Sequence, residues 1–146
     1  MQNCSHGREH PEIQDYGPEP FVLNIRHAAT MNRNFRTTIW TGKHLQLTLM
    51  CIPVGGEIGV EMHAQVDQFI RVENGCAKVY TGKCRCALCE TACVNENDAI
   101  LIPAGTWHNI INTGNRPLKL YSLYAPPQHP AGTVHRTKSD AEHEGH

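Results

Sequence analysis

The chain has 146 residues and a formal net charge of −1, so it is long enough for one domain with a hydrophobic core of its own. Its charges form no basic stripe, which argues against nucleic acid as a partner, and no apolar run approaches the roughly 20 residues that span a bilayer. The opening MQNCSHGREH lacks the apolar core of a secretion signal. We therefore expect a cytoplasmic protein whose seven cysteines stay mostly reduced or bind metal.

Short β-strands are predicted along most of the chain. Residues 35–53 hold two β-rich runs on either side of a turn at 41–43, and leucines at alternate positions give the second run its strand period. Further strands are predicted in FIRVENG (69–75), CAKVYTGK (76–83), AILIPAG (99–105), WHNIINTG (107–114) and PLKLYSLYAP (117–126). No stretch shows a long, capped helical period, so the pattern predicts an all-β jelly-roll barrel.

The two ends of the chain differ in composition from its middle, because they are rich in proline and polar residues. We expect an extended N-terminal arm over residues 1–20, a barrel over residues 21–127 and a polar C-terminal tail over residues 128–146. The tail histidines, among them His135, are interpreted as solvated side chains.

Four side chains on the predicted strands are candidate metal ligands. Glu61 and His63 lie two residues apart on an expected buried strand and would share one face, while Gln68 and His108 each share a face with apolar neighbours that point inward. An unpaired carboxylate inside a barrel costs several kcal/mol, so Glu61 should be accompanied by a cation. Two histidines and one carboxylate resemble the facial ligand set of non-haem metals, with Gln68 as a neutral fourth donor.

These donors belong to two segments with a recognisable spacing. Residues 55–75 read G-x5-E-x-H-x4-Q-x6-G, and residues 97–112 read N-x5-P-x-G-x2-H-x3-N. The pair resembles the two sequence motifs of the cupins, in which histidine is usual where Glu61 stands and glutamate where Gln68 stands. Asn97 replaces the first glycine of the second motif, and a turn tolerates that exchange.

The flanking sequences DYGPEPFV, RTTIWTGKHLQLTLM and LKLYSLYAPPQHPAGTVH are similar to small bacterial cupins of the group labelled phosphomannose isomerase-like. This resemblance implies a cupin double-stranded β-helix and a homodimer. The sequence adds that residues 20–52 contain more apolar strand than one barrel needs, including Phe21, Ile39 and Trp40.

The sequence does not determine which metal binds, since iron, manganese, nickel, zinc and copper all accept nitrogen and oxygen ligands. The alternative is a metal-free barrel whose polar mouth binds a ligand through hydrogen bonds.

A cysteine-rich loop over residues 82–95 separates the two motifs. Cys84, Cys86, Cys89 and Cys93 give the spacing C-x-C-x2-C-x3-C, and four thiolates this close could hold zinc or an iron–sulfur cluster. Because the spacing is tighter than in ordinary zinc fingers, four thiols on a mobile loop is the preferred interpretation, and a second metal site is the alternative.

The expected function is metal-dependent chemistry on a small molecule. One divalent ion with a single protein carboxylate keeps a net positive charge and open positions, which suits isomerase or lyase chemistry on a sugar, sugar phosphate or keto acid, or dioxygenation with iron. The sequence does not identify a general base. Tyr124 and His44 are candidates only as polar residues near strand ends. A non-catalytic sensor or small-ligand carrier is the competing class, and a dimerisation scaffold is a third.

Overall fold

The computed structural model describes residues 14–144. Within that range two short helices accompany nine strands: α1 (Ile25–Met31), β1 (Arg36–Thr41), β2 (Gln46–Ile52), β3 (Asp67–Asn74), β4 (Ala77–Gly82), β5 (Cys89–Val94), β6 (Ala99–Ile102), β7 (Trp107–Asn112), β8 (Leu118–Ala125), β9 (Val134–His135) and α2 (Lys138–His143). Neither helix is long and apolar enough to cross a membrane.

The strands form two antiparallel sheets that enclose an apolar core. The larger sheet has the order β6-β3-β8-β2-β1-β9, and the smaller has the order β5-β4-β7. Alternate residues of both sheets point inward, and Met50, Ile70 and Leu120 of the large sheet pack with Val79 and Ile110 of the small one. This arrangement confirms the predicted all-β jelly-roll barrel.

A second apolar cluster lies on the outer face of the large sheet, where the N-terminal part of the chain packs. Ala29 of α1 is fully buried there against Leu47, Leu49 and Tyr121, and Phe21 and Trp40 pack at the rim of the cluster. Much of the apolar surface that pointed to a partner subunit is therefore covered by the chain itself. The sequence did not predict this helix, because seven residues are too few to show a helical period.

The segment before α1 is tied to the barrel through Asp15. Its carboxylate accepts hydrogen bonds from the backbone N–H groups of Gly17 and Thr41, each at 2.9 Å, and from that of Gly132 at 3.2 Å. Burial raises the pKa of Asp15, but these bonds and one from the Thr41 hydroxyl outweigh it, so the pKa lies below its ordinary value. Of the expected arm over residues 1–20, only residues 14–20 fall within the described range.

The C-terminal region also packs on the barrel. β9 pairs with β1, placing His135 opposite Arg36, and α2 follows with a capping box between Thr137 and Asp140. The expectation that His135 is solvated is wrong, since it is only 1% exposed. β9 has only two residues and pairs with a strand about a hundred residues away, and α2 has only six residues, so both leave little signal in local sequence.

Candidate metal centre

Glu61 and His108 face each other across an isolated β-bridge. The Glu61 N–H donates to the His108 carbonyl at 3.0 Å, and the His108 N–H donates to the Glu61 carbonyl at 2.9 Å. Residues directly opposite in an antiparallel pair project their side chains to the same side, and His63 shares that side two residues later. The regular strand expected at Glu61 is absent, because the segment is extended but pairs with β7 only through bridges at Glu57 and Glu61.

Three donor atoms meet at this bridge. Glu61 Oε1 lies 3.5 Å from His63 Nε2 and 3.4 Å from His108 Nε2, and one ligand atom from each residue lies within 4.8 Å of the others. Ligands bound about 2.1 Å from one metal ion are about 3.0 to 3.4 Å apart, depending on geometry. The group therefore has the spacing of a metal site without any rearrangement of the backbone.

The protonation of His108 leaves its inner nitrogen free to act as a ligand. His108 Nδ1 lies 2.9 Å from the Thr106 carbonyl oxygen, which can only accept, so Nδ1 carries a proton and, in the neutral imidazole, Nε2 has the lone pair. Nε2 of His108 and Nε2 of His63 are both buried without a hydrogen-bond partner in the described part of the chain. Two orphaned imidazole nitrogens beside a carboxylate fit a bound metal ion.

The electrostatic environment keeps Glu61 ionised. Burial raises the pKa of its carboxyl group, but the neighbouring imidazoles of His108 and His63, together with the charge of Arg36, outweigh burial and hold the pKa well below its usual range. An ionised carboxylate and neutral imidazoles are the forms that bind metal.

Gln68 is buried on β3, as predicted, and its amide is only half satisfied. Its Nε2 donates to the Ser122 hydroxyl at 3.2 Å, while Oε1 is buried with no hydrogen-bond partner among the described residues. The oxygen end of the amide is therefore available to a ligand. The role of Gln68 as a fourth metal ligand remains a prediction.

Comparison with known proteins identifies the family. Residues 48–124, more than half of the chain, match the family described as the cupin domain. The chain belongs to the cupin family. The Bacillus subtilis protein YrkC, described as uncharacterized, is 57% identical over 129 residues, which span 88% of this cupin and 69% of that protein. A crystal structure of BH2720 from Bacillus halodurans, also 57% identical, covers 90% of this cupin and 99% of that chain with a TM-score of 0.88.

More distant structures share the fold alone. KdgF from a Halomonas species is 18% identical with a TM-score of 0.54, over 64% of this cupin and 78% of that chain. The oxalate decarboxylase of Lactobacillus farciminis is 20% identical with a TM-score of 0.54, over 64% of this cupin and 27% of that chain. The predicted cupin double-stranded β-helix is confirmed, while the phosphomannose isomerase-like subgroup remains a prediction.

Three other positions of the two cupin motifs have structural roles. Asn97 adopts a φ of 74° and Gly105 a φ of 82°, the left-handed region that favours asparagine and glycine, and the Gly105 N–H donates to the His63 carbonyl at 2.8 Å. Asn112 donates to the carbonyls of Ile52 and Arg116 at 3.1 and 3.0 Å. The last asparagine of the second motif thus fixes two loops and is not part of the metal centre.

Further polar residues lie inside the cupin barrel: Arg36 and Thr48, which sequence reasoning did not assign to the site, and Tyr124, a candidate general base. Thr48 Oγ1, Tyr124 Oη and Arg36 Nε are buried without a hydrogen-bond partner in the described range. The Tyr124 ring meets the His63 ring edge-on at 5.7 Å and the His129 ring at 5.3 Å. Tyr124 is thereby placed beside the metal centre, whereas His44, the other candidate base, is exposed in the β1–β2 turn.

The cysteine-rich loop lies apart from these residues. Cys84 and Cys86 have their sulfur atoms 2.9 Å apart, and Cys89 and Cys93 are exposed on β5. Within residues 14–144 the structure brings Glu61, His63 and His108 into a group that could hold an ion, and it does not bring the four thiols into one. The second metal site remains a prediction.

Proposed function

We propose that this cupin binds one divalent transition metal and acts as an enzyme on a small oxygenated substrate, by isomerase or lyase chemistry or, with iron, by dioxygenation. The observation that carries this proposal is the convergence, on the ionised Glu61 carboxylate, of two buried histidine nitrogens that make no hydrogen bond in the described residues. Glu61, His63, His108 and Gln68 would hold the ion. When bound, it would supply a Lewis acid that polarises a substrate oxygen.

The surroundings of the centre support substrate binding. Burial raises the pKa of Tyr124, so its hydroxyl keeps its proton at neutral pH and can donate a hydrogen bond to a substrate oxygen. Thr48 Oγ1 offers a second buried hydroxyl next to it. Access to the centre remains at Glu61, whose side chain is 26% exposed, whereas those of His63 and His108 are 7% and 1% exposed.

One observation favours a second candidate, a non-catalytic metal-dependent sensor or small-ligand carrier. Asp67, the carboxylate next to Gln68 in sequence, is exposed, and its Oδ1 accepts a hydrogen bond from the Ala104 N–H at 2.8 Å. It is therefore not placed as a base inside the barrel. Saturable ligand binding without turnover would favour this candidate over the enzyme.

Metal analysis of purified variants tests the proposed centre. We expect about one metal ion per wild-type chain, and His108→Ala should lose most of it, because removal of a direct ligand exceeds the roughly 10- to 100-fold loss typical of outer-shell changes. Glu61→Gln should weaken metal retention less severely. His44→Ala, which changes an exposed histidine, serves as the matched control and should keep its full metal content. Full metal occupancy in folded His108→Ala would refute the centre.

A further inference from the structure

Arg36 is a charged side chain enclosed in the barrel, and the ionised Glu61 carboxylate acts on its charge only from beyond ion-pair distance. Arg36 is 3% exposed, its Cζ lies 5.4 Å from the centroid of the Phe35 ring, and its Nε is buried without a hydrogen-bond partner. None of the ion pairs recorded for residues 14–144 includes Arg36. A buried guanidinium that no carboxylate contacts directly is costly, so an anion that binds against it would stabilise the folded protein.

The outer end of the guanidinium is already engaged. Nη1 donates to His135 Nδ1 at 3.2 Å, and since an arginine cannot accept, His135 must carry its proton on Nε2. That Nε2 in turn donates to Glu144 Oε2 at 2.7 Å. The nearest carboxylate in this chain of contacts is therefore one imidazole away from Arg36. The Glu144 side chain is 47% exposed, so it neutralises the buried charge of Arg36 only weakly.

Arg36 lies close enough to the metal centre for its charge to lower the pKa of Glu61. Arg36 and Thr48 lie within reach of the Tyr124 hydroxyl, yet Tyr124 Oη, Thr48 Oγ1 and Arg36 Nε make no aligned hydrogen bond in the described residues. The Tyr124 ring is in edge contact with the His63 ring, with centroids 5.7 Å apart. Three polar groups that can approach one another, but make no well-aligned hydrogen bond, thus lie next to the centre and keep hydrogen-bonding capacity for a ligand.

We propose that Arg36 is the anion-recognition residue of this cupin. Its guanidinium binds a carboxylate or phosphate group of the ligand, with Thr48 and Tyr124 as further donors, while the Glu61–His63–His108 centre holds another oxygen of the same molecule. Arginine binds such groups through parallel, charge-assisted N–H bonds, and three donors match an oxyanion better than a neutral hydroxyl. The inference rests on the proposed function for the metal end of the ligand. If Arg36 recognises an anion, the substrates of this cupin are small carboxylic acids or phosphate esters, and neutral sugars are not among them.

Calorimetric titration of the full-length, metal-loaded protein tests this assignment. The probes are glycolate, glycolamide, which has the same skeleton with a neutral amide, and inorganic phosphate. Wild type should bind glycolate at least about tenfold more tightly than glycolamide. Arg36→Gln should lose about 10- to 100-fold of its glycolate affinity, the range of a charged hydrogen bond, and leave glycolamide binding unchanged. Arg33→Gln, at an exposed position three residues away, should behave as wild type.

Further measurements distinguish anion recognition by Arg36 from a purely structural role of this residue. Arg36→Lys keeps the charge but loses the paired N–H groups, so it should restore part of the glycolate affinity, and metal content should stay at the wild-type level in both Arg36 variants. If Arg36→Gln does not fold, the wild-type comparison of the two probes and the Arg36→Lys titration decide the question. Phosphate binding that depends on Arg36, without glycolate binding, would support the assignment and identify a phosphate ligand.

Three results would overturn the assignment: equal affinity of wild type for glycolate and glycolamide, undiminished glycolate affinity in Arg36→Gln, or no binding of either anion. The same titrations on metal-free protein separate this inference from the metal centre. If wild type holds no metal but glycolate still binds in an Arg36-dependent way, the proposed metal centre fails and the anion site stands. If metal is present at full occupancy and Arg36 has no effect, the anion site fails and the metal centre stands.

Discussion

His129 is a buried histidine packed between the rings of Tyr124 and His135, at centroid distances of 5.3 and 6.4 Å. Burial lowers its pKa to about 3, with a further contribution from the positive charge of Arg36. The imidazole is therefore neutral at every pH at which the protein would normally be handled. Because the ring is neutral, it adds no second positive charge beside Arg36.

This low pKa predicts an acid dependence of stability. The unfolded chain binds a proton at His129 below its ordinary pKa of 6.5 and the folded chain does not, so the free energy of unfolding falls as the pH drops below 6.5. The decrease attributable to His129 is at most about 1.4 kcal/mol per pH unit, down to the folded pKa. Urea unfolding of metal-free protein between pH 7.5 and 5 measures the slope, which His129→Gln should reduce and His44→Gln should not. An unchanged slope in folded His129→Gln would contradict the prediction.

The ligands of the candidate centre could be predicted because their geometry is local. In an extended segment, alternation alone places Glu61 and His63 on one face, and the spacing to Gln68 carries it onto an inward-facing position of β3. Arg36 and His135 could not be placed in this way, since their contact joins residues 99 positions apart. Local sequence shows an arginine at the start of a mixed polar and apolar strand, but only the pairing of β9 with β1 shows that it is enclosed.

Among the secondary-structure elements, α1 was not predicted from local periodicity. This helix packs on the outer face of the large sheet. Its Asn24 cap accepts a hydrogen bond from the His27 N–H at 2.9 Å, but a seven-residue helix is marginal without tertiary packing. The strands were easier to predict, because one face of each points into the barrel and burial therefore alternates along the sequence, as in β3 and β6. The helix depends instead on a small residue, Ala29, that lets it approach β2 closely.

Enlarging Ala29 tests how tightly α1 is packed. Ala29 has no exposed surface, so Ala29→Leu would force extra volume between α1 and Leu49 and should lower the free energy of unfolding by about 1–3 kcal/mol. Chemical denaturation measures this change. Met31→Leu, at a position 52% exposed on the same helix, is the control and should change stability by less than about 0.5 kcal/mol. Wild-type stability of Ala29→Leu would mean that α1 can move away from the sheet at little cost.

For the whole molecule, we expect a homodimer. The chain covers much of the outer face of the large sheet by itself, yet Val22 and Leu101 remain 84% and 74% exposed, and Leu101 lies on β6, an edge strand. Exposed apolar residues on or near an open edge favour association. Light scattering at micromolar concentration should give about twice the chain mass of 16.3 kDa. A mass of one chain would reject the dimer and leave the metal centre unaffected.

Metal removal should destabilise the entire barrel, because the proposed ligands come from both sheets. His108 belongs to β7 of the small sheet, Gln68 to β3 of the large one, and Glu61 and His63 to the segment that leads into β3. An ion held by all four would bind only when the two sheets are assembled, so it would stabilise the folded state by about 2.7 kcal/mol at a free concentration 100 times its Kd.

For a chain of this length, that free energy corresponds to a fall in Tm of about 5–10 °C when a chelator removes the ion. Differential scanning calorimetry with and without EDTA, followed by readdition of the metal, measures the effect and its reversal. His108→Ala should show no response to EDTA, since its site is already incomplete, whereas His44→Ala should respond as wild type does. An unchanged Tm in wild type, with metal analysis showing that the ion had been present and was removed, would mean that the ion does not link the two sheets.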